Sequence, residues 1–308
     1  LFHKKQTGAN HDSKQEAVIF LKPGDTLGVC APSGSFDTEK FNQGIEVLKT
    51  LGFQVKVPQE IFKRKRYLAG NDMERAGIVN RLFSDPGIKG IICARGGYGA
   101  LRILNHLDWE MIRKNPKPFM GYSDITAILT AILSETGMPV LHGPHVVSLA
   151  TADTKTLESL ADALCGLAKT IEMPDGKIIR KGVGMGILKG GNLATLCHLL
   201  GTRFQPDFTG AVLFFEDIGE PAYKIDRMLT QMKLAGLFDK IHGVITGSFE
   251  NCDNGEYIEE IVGECFDEYQ VPVLFGLDAG HGKINLSLPF GRMIKMDTMA
   301  RKIQWVRP

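Results

Sequence analysis

The 308-residue chain has no segment approaching the roughly 20 consecutive apolar residues of a membrane-spanning helix. Nor has it a surplus of either charge: 36 Lys and Arg stand against 35 Asp and Glu, for a net charge of +1. That balance gives no bulk electrostatic reason to engage nucleic acid or an anionic membrane, and neither is expected as a partner. The one dense basic run, Lys63-Arg64-Lys65-Arg66 between Phe62 and Tyr67, reads as a solvated loop. Six cysteines (30, 93, 165, 197, 252 and 265) contain no C-x-x-C pair, so neither a zinc site nor a disulfide framework is expected. Cys30 and Cys93 lie in apolar, strand-like surroundings and read as small buried hydrophobes in reduced form. Residues 1–20 read as a polar leader, and its first 16, Leu1 to Glu16, lack the apolar stretch of an export signal. A cytoplasmic location is the expectation, with a trimmed signal left open because the chain does not begin with Met.

What is present is the balance of an ordinary protein with a sizeable core, 44% hydrophobic and 23% charged. From residue 21, short apolar runs alternate with amphipathic stretches. Strands are expected at 26–31, 53–57, 88–94 and 118–122, and helices at 40–51, 73–83 and 124–136. That alternation predicts an α/β fold, with an N-terminal mostly parallel sheet flanked by helices over 21–160. The turn signal Met173-Pro-Asp-Gly-Lys177 marks a boundary between about 150 and 180. Beyond it a C-terminal, strand-rich α/β domain is expected over 175–308. It opens on the glycine-dense run 182–191 and closes on a strand-like segment, 283–306, with turns at Pro289-Phe-Gly291 and near Asp297.

Ser123 falls between a strand ending at Tyr122 and a helix whose apolar residues Ile125, Ile128, Leu129, Ile132 and Leu133 share one face. Gly137 stands where a C′ glycine belongs. Such a turn presents a hydroxyl at the carboxyl end of a sheet, beside the first N–H groups of a helix, where a developing oxyanion is stabilised. Gly121 leaves the backbone free to turn. The same residues also suit simple capping, Ser as N-cap and Asp124 against the macrodipole, and the run is not G-x-S-x-G.

A nucleophilic serine needs a base, usually a His oriented by a carboxylate. Of eight histidines, His281 stands out in Leu277-Asp-Ala-Gly-His-Gly282, a glycine-flanked and mobile loop after the apolar strand 271–275. A surface turn remains the alternative there. His142 and His145 are plausible pocket residues; His3 and His11 lie in the leader, and His106, His198 and His242 read as structural or solvated. Ala211-Val-Leu-Phe-Phe-Glu-Asp217 runs five apolar residues into Glu216, an acid that burial obliges to find a partner. Asp217 or Glu220 could instead cap the helix that follows. The run Ala94-Arg-Gly-Gly-Tyr-Gly-Ala100 makes a nest of N–H groups that suits either a phosphate or an oxyanion. It lacks the dinucleotide spacing and its acidic partner.

Taken together these motifs resemble the LD-carboxypeptidase (muramoyltetrapeptide carboxypeptidase) family of serine peptidases over almost the whole chain from about Leu21. They are Lys22-Pro-Gly-Asp-Thr-Leu-Gly-Val with Ala31-Pro-Ser-Gly34, Ala94-Arg-Gly-Gly-Tyr-Gly99, Gly121-Tyr-Ser-Asp124, Gly190-Gly-Asn-Leu193 with Leu200-Gly-Thr202, Phe215-Glu-Asp-Ile-Gly-Glu220 and Gly280-His-Gly282. The resemblance implies a triad of Ser123, Glu216 and His281, and an oxyanion hole from the N–H groups of Gly97 and Asp124. It implies a site between two domains, often in a homodimer, and hydrolysis of the bond between meso-diaminopimelate or L-Lys and the terminal D-Ala of a murein tetrapeptide. No metal or organic cofactor is implied. Arg95 is a candidate for the terminal carboxylate, with Gly96 and Tyr122 beside it. The same superfamily includes microcin C-type immunity hydrolases, which cleave peptide-nucleotides. Keeping Gly-Gly-Tyr, with little room for an insertion near the site, favours the carboxypeptidase. A non-catalytic anion-binding α/β module is the reading from another class.

Overall fold

The computed structural model describes residues 20–167 and 170–306, so the expected polar leader falls almost wholly outside the described residues. Helices separate β1 (Thr26–Cys30), β2 (Gln54–Lys56), β3 (Gly90–Cys93), β4 (Phe119–Gly121) and β5 (Val140–His142), which pair in parallel in the order β5-β4-β3-β1-β2. Parallel strands covered on both faces must be apolar throughout, and all four residues of β3 are buried. Cys30 and Cys93 face each other across β1 and β3 as free, buried thiols.

After β6 (Ile171–Glu172) and β7 (Lys177–Arg180) come β8 (Val183–Asn192), β9 (Ala211–Ile218), β10 (Gly243–Glu250) and β11 (Val273–Phe275). The last strands are β12 (Leu288–Phe290), β13 (Met293–Asp297) and β14 (Lys302–Trp305). The second sheet runs β6-β14-β13-β8-β9-β10-β11-β7, parallel from β8 to β11 and antiparallel on its flanks. β12 leaves this sheet and joins the first one, antiparallel to β5. Pro289, expected in a turn, therefore lies in a strand, and the turn begins at Gly291. An edge strand tolerates a residue with no N–H to donate, which is why the position accepts proline.

Helix ends follow their local chemistry. Asp37 accepts from the N–H of Lys40 at 2.9 Å, and Asn71 and Glu74 form a reciprocal capping box. Gly137 closes the helix Thr126–Thr136 in the left-handed conformation, φ 73°.

Alternation along β9 sets which half of the molecule each side chain meets. Val212 and Phe214 pack with β1, β3 and β4 in one core, whereas Leu213 and Phe215 pack with the helices Ala222–Leu234 and Ile258–Asp267 in another. Continuing that period turns Glu216 toward the first sheet and Asp217 toward the helices.

The first sheet and β8 meet where Gly191 passes the helix Thr126–Thr136. Gly191 has φ +142°, and a Cβ there would lie 2.4 Å from Thr126 Cγ2 and 2.6 Å from its Oγ1. The same approach lets Thr126 Oγ1 accept from Asn192 N at 3.0 Å. Gly191→Ala should cost about 2–4 kcal/mol in chemical denaturation, strain and clash together. Gly201→Ala, at φ +74° with nothing within 4 Å, should cost only about 1 kcal/mol. Equal losses would show that the close approach does not hold in solution.

Candidate active site

Ser123 lies just past β4, in a 3-10 turn, Ser123–Ile125, that leads into the helix Thr126–Thr136. Its φ is +60°, a left-handed conformation that few residues other than glycine adopt. The residue at the N-cap of that turn is Tyr122, not Ser123, and no side chain at the N-cap position closes either the turn or the helix. The capping alternative thus loses its physical basis: strained backbone holds a hydroxyl that the helix does not use.

Asp124 stands in the first turn, as expected, but it faces inward. It is buried, and its Oδ2 accepts from Ser33 Oγ and, at 2.8 Å, from the N–H of Ala100. Burial raises the Asp124 pKa, against the lowering effect of those two donors. One carboxylate thus ties the loop after β1 and the glycine loop after β3 to the turn that carries Ser123. Arg75, fully buried, braces the same two loops from behind, donating to the carbonyls of Pro32 and, at 2.9 Å, Gly99 while pairing with Asp72. Sequence reading missed this residue, although Arg75, Val79 and Leu82 fall on one helical stripe, an arginine in an apolar row.

Within the glycine loop it is Gly96 that touches the serine: a Cβ there would sit 3.3 Å from Ser123 Oγ and 2.9 Å from His145 Cε1. Gly97 follows with φ +100°. Arg95 is exposed at the rim and donates to the carbonyl of Ser35 at 2.6 Å.

Glu216 is wholly buried within β9, and His281 Nδ1 lies 2.6 Å from its Oε2. Gly280 makes this possible, since a Cβ there would lie 2.5 Å from that oxygen. The His281 loop, expected to be mobile, is pinned on both sides of the ring: Gly280 N donates to Asn285 Oδ1 at 3.0 Å, and Gly282 N to Ser248 Oγ at 2.9 Å. Asp217 does not cap the helix after it. It accepts from Asn192 Nδ2, Ala194 N and Ile218 N, bracing the start of the helix Leu193–His198 instead. Burial pushes its carboxyl up to about 6, against the pull of those donors. Glu220 makes an ion pair with Lys224 and caps nothing.

Tyr122 joins the two halves. Its ring stacks on His145 at 4.2 Å and lies 4.9 Å from the His281 ring. Burial, reinforced by the Glu216 carboxylate, pushes its phenol up to about 12. His145 Nε2 lies 3.3 Å from Tyr122 N and 3.0 Å from its carbonyl oxygen. Ser123 and His281 thus share Tyr122 as a neighbour from opposite domains, with His281 hydrogen-bonded to Glu216 rather than to the serine. Among the described residues, no group of three or more His, Cys, Asp and Glu is placed to hold a metal ion. Among them also, no helix is long and apolar enough to cross a membrane.

Residues 27–143 match the model of the LD-carboxypeptidase N-terminal domain, and residues 185–296 that of the C-terminal domain. A Bacillus subtilis protein named "Probable murein peptide carboxypeptidase" is 36% identical, covering 90% of this chain and 90% of its own length. The solved structure of MccF in complex with glutamyl sulfamoyl guanosine superposes with a TM-score of 0.89 at 27% identity, over 94% of this chain and 98% of the other. That of the muramoyltetrapeptide carboxypeptidase from Oxalobacter formigenes gives a TM-score of 0.81 at 30% identity, over 91% and 97%.

The buried histidines set an acid limit on the fold. Burial, together with the nearby His281, pushes both His142 and His145 down to about 3. Between that value and about 6.5, the unfolded chain binds the protons that the folded one refuses. Their contribution is therefore complete above pH 6.5 and is lost as pH falls toward 3. Unfolding at pH 5 should take up about one proton fewer in His142→Gln than in the parent, read from the slope of unfolding free energy against pH. An unchanged slope would place that histidine in contact with solvent.

Proposed function

The chain belongs to the LD-carboxypeptidase family of serine peptidases, and from that premise we propose that it removes the terminal D-Ala from a murein tetrapeptide through Ser123, Glu216 and His281. The observation that carries this reading is the 2.6 Å contact between Glu216 and His281 Nδ1. A carboxylate there fixes the proton on Nδ1, leaving Nε2 as the face able to accept a proton from a serine. In the proposed reaction Nε2 takes the Ser123 proton as Oγ attacks the carbonyl of the diaminopimelate or L-Lys residue. The C–N bond then breaks, and the same proton passes to the departing D-Ala amine. Water, deprotonated in turn by His281, releases the acyl group and restores the serine.

The oxyanion is assigned to the N–H groups of Gly97 and Asp124, which lie on the two loops that Asp124 itself ties together. Gly96 and Tyr122 form the walls beside Ser123, and Arg95 at the rim is assigned to the terminal carboxylate. The likeness to MccF favours a second reading, in which the acyl group leaves a nucleotide-like amine instead of D-Ala.

Two substrates separate these readings. Murein tetrapeptide should release D-Ala, with turnover lost in Ser123→Ala and reduced about 10²–10⁴-fold in kcat in Glu216→Gln, with KM nearly unchanged. Cleavage of an aminoacyl sulfamoyl adenosine alone would transfer the assignment to the second reading. Full tetrapeptide activity in Ser123→Ala would remove the serine mechanism.

A further inference from the structure

The basic run 63–66 is the solvated loop expected from sequence, exposed at all four residues, and it lies beside the glycine loop that adjoins Ser123. Lys65 and Leu68 exchange both backbone hydrogen bonds, at 2.9 and 3.0 Å, closing a tight turn with Arg66 and Tyr67 at its tip. That turn is stitched inward: Ser35 N donates to Tyr67 O at 2.9 Å, Ala69 N to Ser33 O at 3.1 Å, and Gly34 N to Gly96 O at 3.0 Å. Gly96 is the residue that touches Ser123. The rings of Tyr67 and Tyr98 meet edge to face at 5.6 Å, and both stay about half exposed, at 54% and 48%.

The charges here divide into two sets. Lys63 is paired with Glu74 at 2.7 Å, Arg102 with Asp72 at 2.7 Å, and Arg64 is occupied by the carbonyl of Phe36 at 3.2 Å. Lys65, Arg66 and Arg95 take no carboxylate partner among the described residues; Arg66 lies over the Tyr67 ring at 5.6 Å, and Arg95 holds only the Ser35 carbonyl. Arg66 also has φ +59°, a conformation that glycine would adopt with less strain.

We propose that Lys65, Arg66 and the exposed Tyr67–Tyr98 pair form a subsite for a second anionic group of the substrate, distinct from the carboxylate released with the leaving residue. Exposed cations that are not internally neutralised hold a carboxylate or phosphate, and the tyrosine faces hold the flat or apolar portion beside it. Non-terminal carboxylates of a murein stem peptide and the phosphate of a peptide-nucleotide share this chemistry. The inference rests on the hydrolase reading for its substrate, but not for its geometry.

Arg66→Gly removes the side chain and relieves the backbone, so it should leave thermal stability unchanged or slightly raised. Lys65→Gln combined with Arg66→Gly should raise KM for murein tetrapeptide about 5–10-fold with kcat within about 2-fold. KM for the same peptide with its non-terminal carboxylates amidated should not move. Raising salt from about 0.05 to 0.5 M should shrink the difference between parent and variant on the acidic peptide. A shift confined to a phosphate-bearing aminoacyl nucleotide supports the subsite and names phosphate as its anion. Equal KM values in parent and double variant on both acidic substrates would overturn it. Calorimetric binding of uncleaved tetrapeptide to Ser123→Ala protein, with and without the double substitution, reads the subsite without turnover. Inactivity of the parent would therefore sink the hydrolase reading while binding still decides this one.

Discussion

Burying a carboxylate costs several kcal/mol unless a cationic or N–H partner meets it, and for Glu216 that partner is His281 Nδ1 at 2.6 Å. Much of the second domain's local sequence follows from this one contact. Gly280 has no side chain because the Glu216 carboxylate occupies its place, and a Cβ at Gly247 would lie 2.9 Å from Glu216 Cβ and 2.3 Å from Ala279 O. Asn285 and Ser248 hold the two ends of the histidine loop so that the ring cannot swing off the acid. A pair with its imidazole fixed at Nδ1 has one free nitrogen, and the His281 ring lies 4.9 Å from the ring of Tyr122, the residue before Ser123.

The first sheet supplies a serine held at a strained backbone angle, and the strain is kept by a separate set of buried contacts. Asp124 draws Ser33 and Ala100 onto the serine turn, and Arg75 holds the carbonyls of Pro32 and Gly99. Neither side chain needs to touch substrate to matter, since together they set the distance between the glycine loop and the hydroxyl. The two sheets are held together where β8 passes the serine helix at Gly191 and where β12 returns to the first sheet.

Much of this was legible from residue order. The strand before Ser123, the helix after it and the closing Gly137 follow from periodicity and one turn residue, and all three stand as expected. The apolar run into Glu216 identified an acid that had to be paired. Alternation along β9 turns Glu216 inward and its neighbours outward, but it does not say which backbone groups the outward Asp217 will meet. For that reason Asp217 read as a helix cap and proved to brace a different helix. The Pro289 strand and the docking of Lys65 and Arg66 beside the glycine loop depend on pairing between distant segments, which local pattern does not carry. Arg75 was visible in principle, as a charge on an apolar stripe.

In the proposed mechanism one serine is activated by an acid–histidine pair carried on the other half of the chain. A serine-directed fluorophosphonate, followed by intact mass and peptide mapping, tests it without reference to the natural substrate. One adduct per chain is expected, located on Ser123, forming at least about 100-fold more slowly in Glu216→Gln and in His281→Ala. An adduct elsewhere, or labelling of Ser123 at an undiminished rate in those variants, would contradict it.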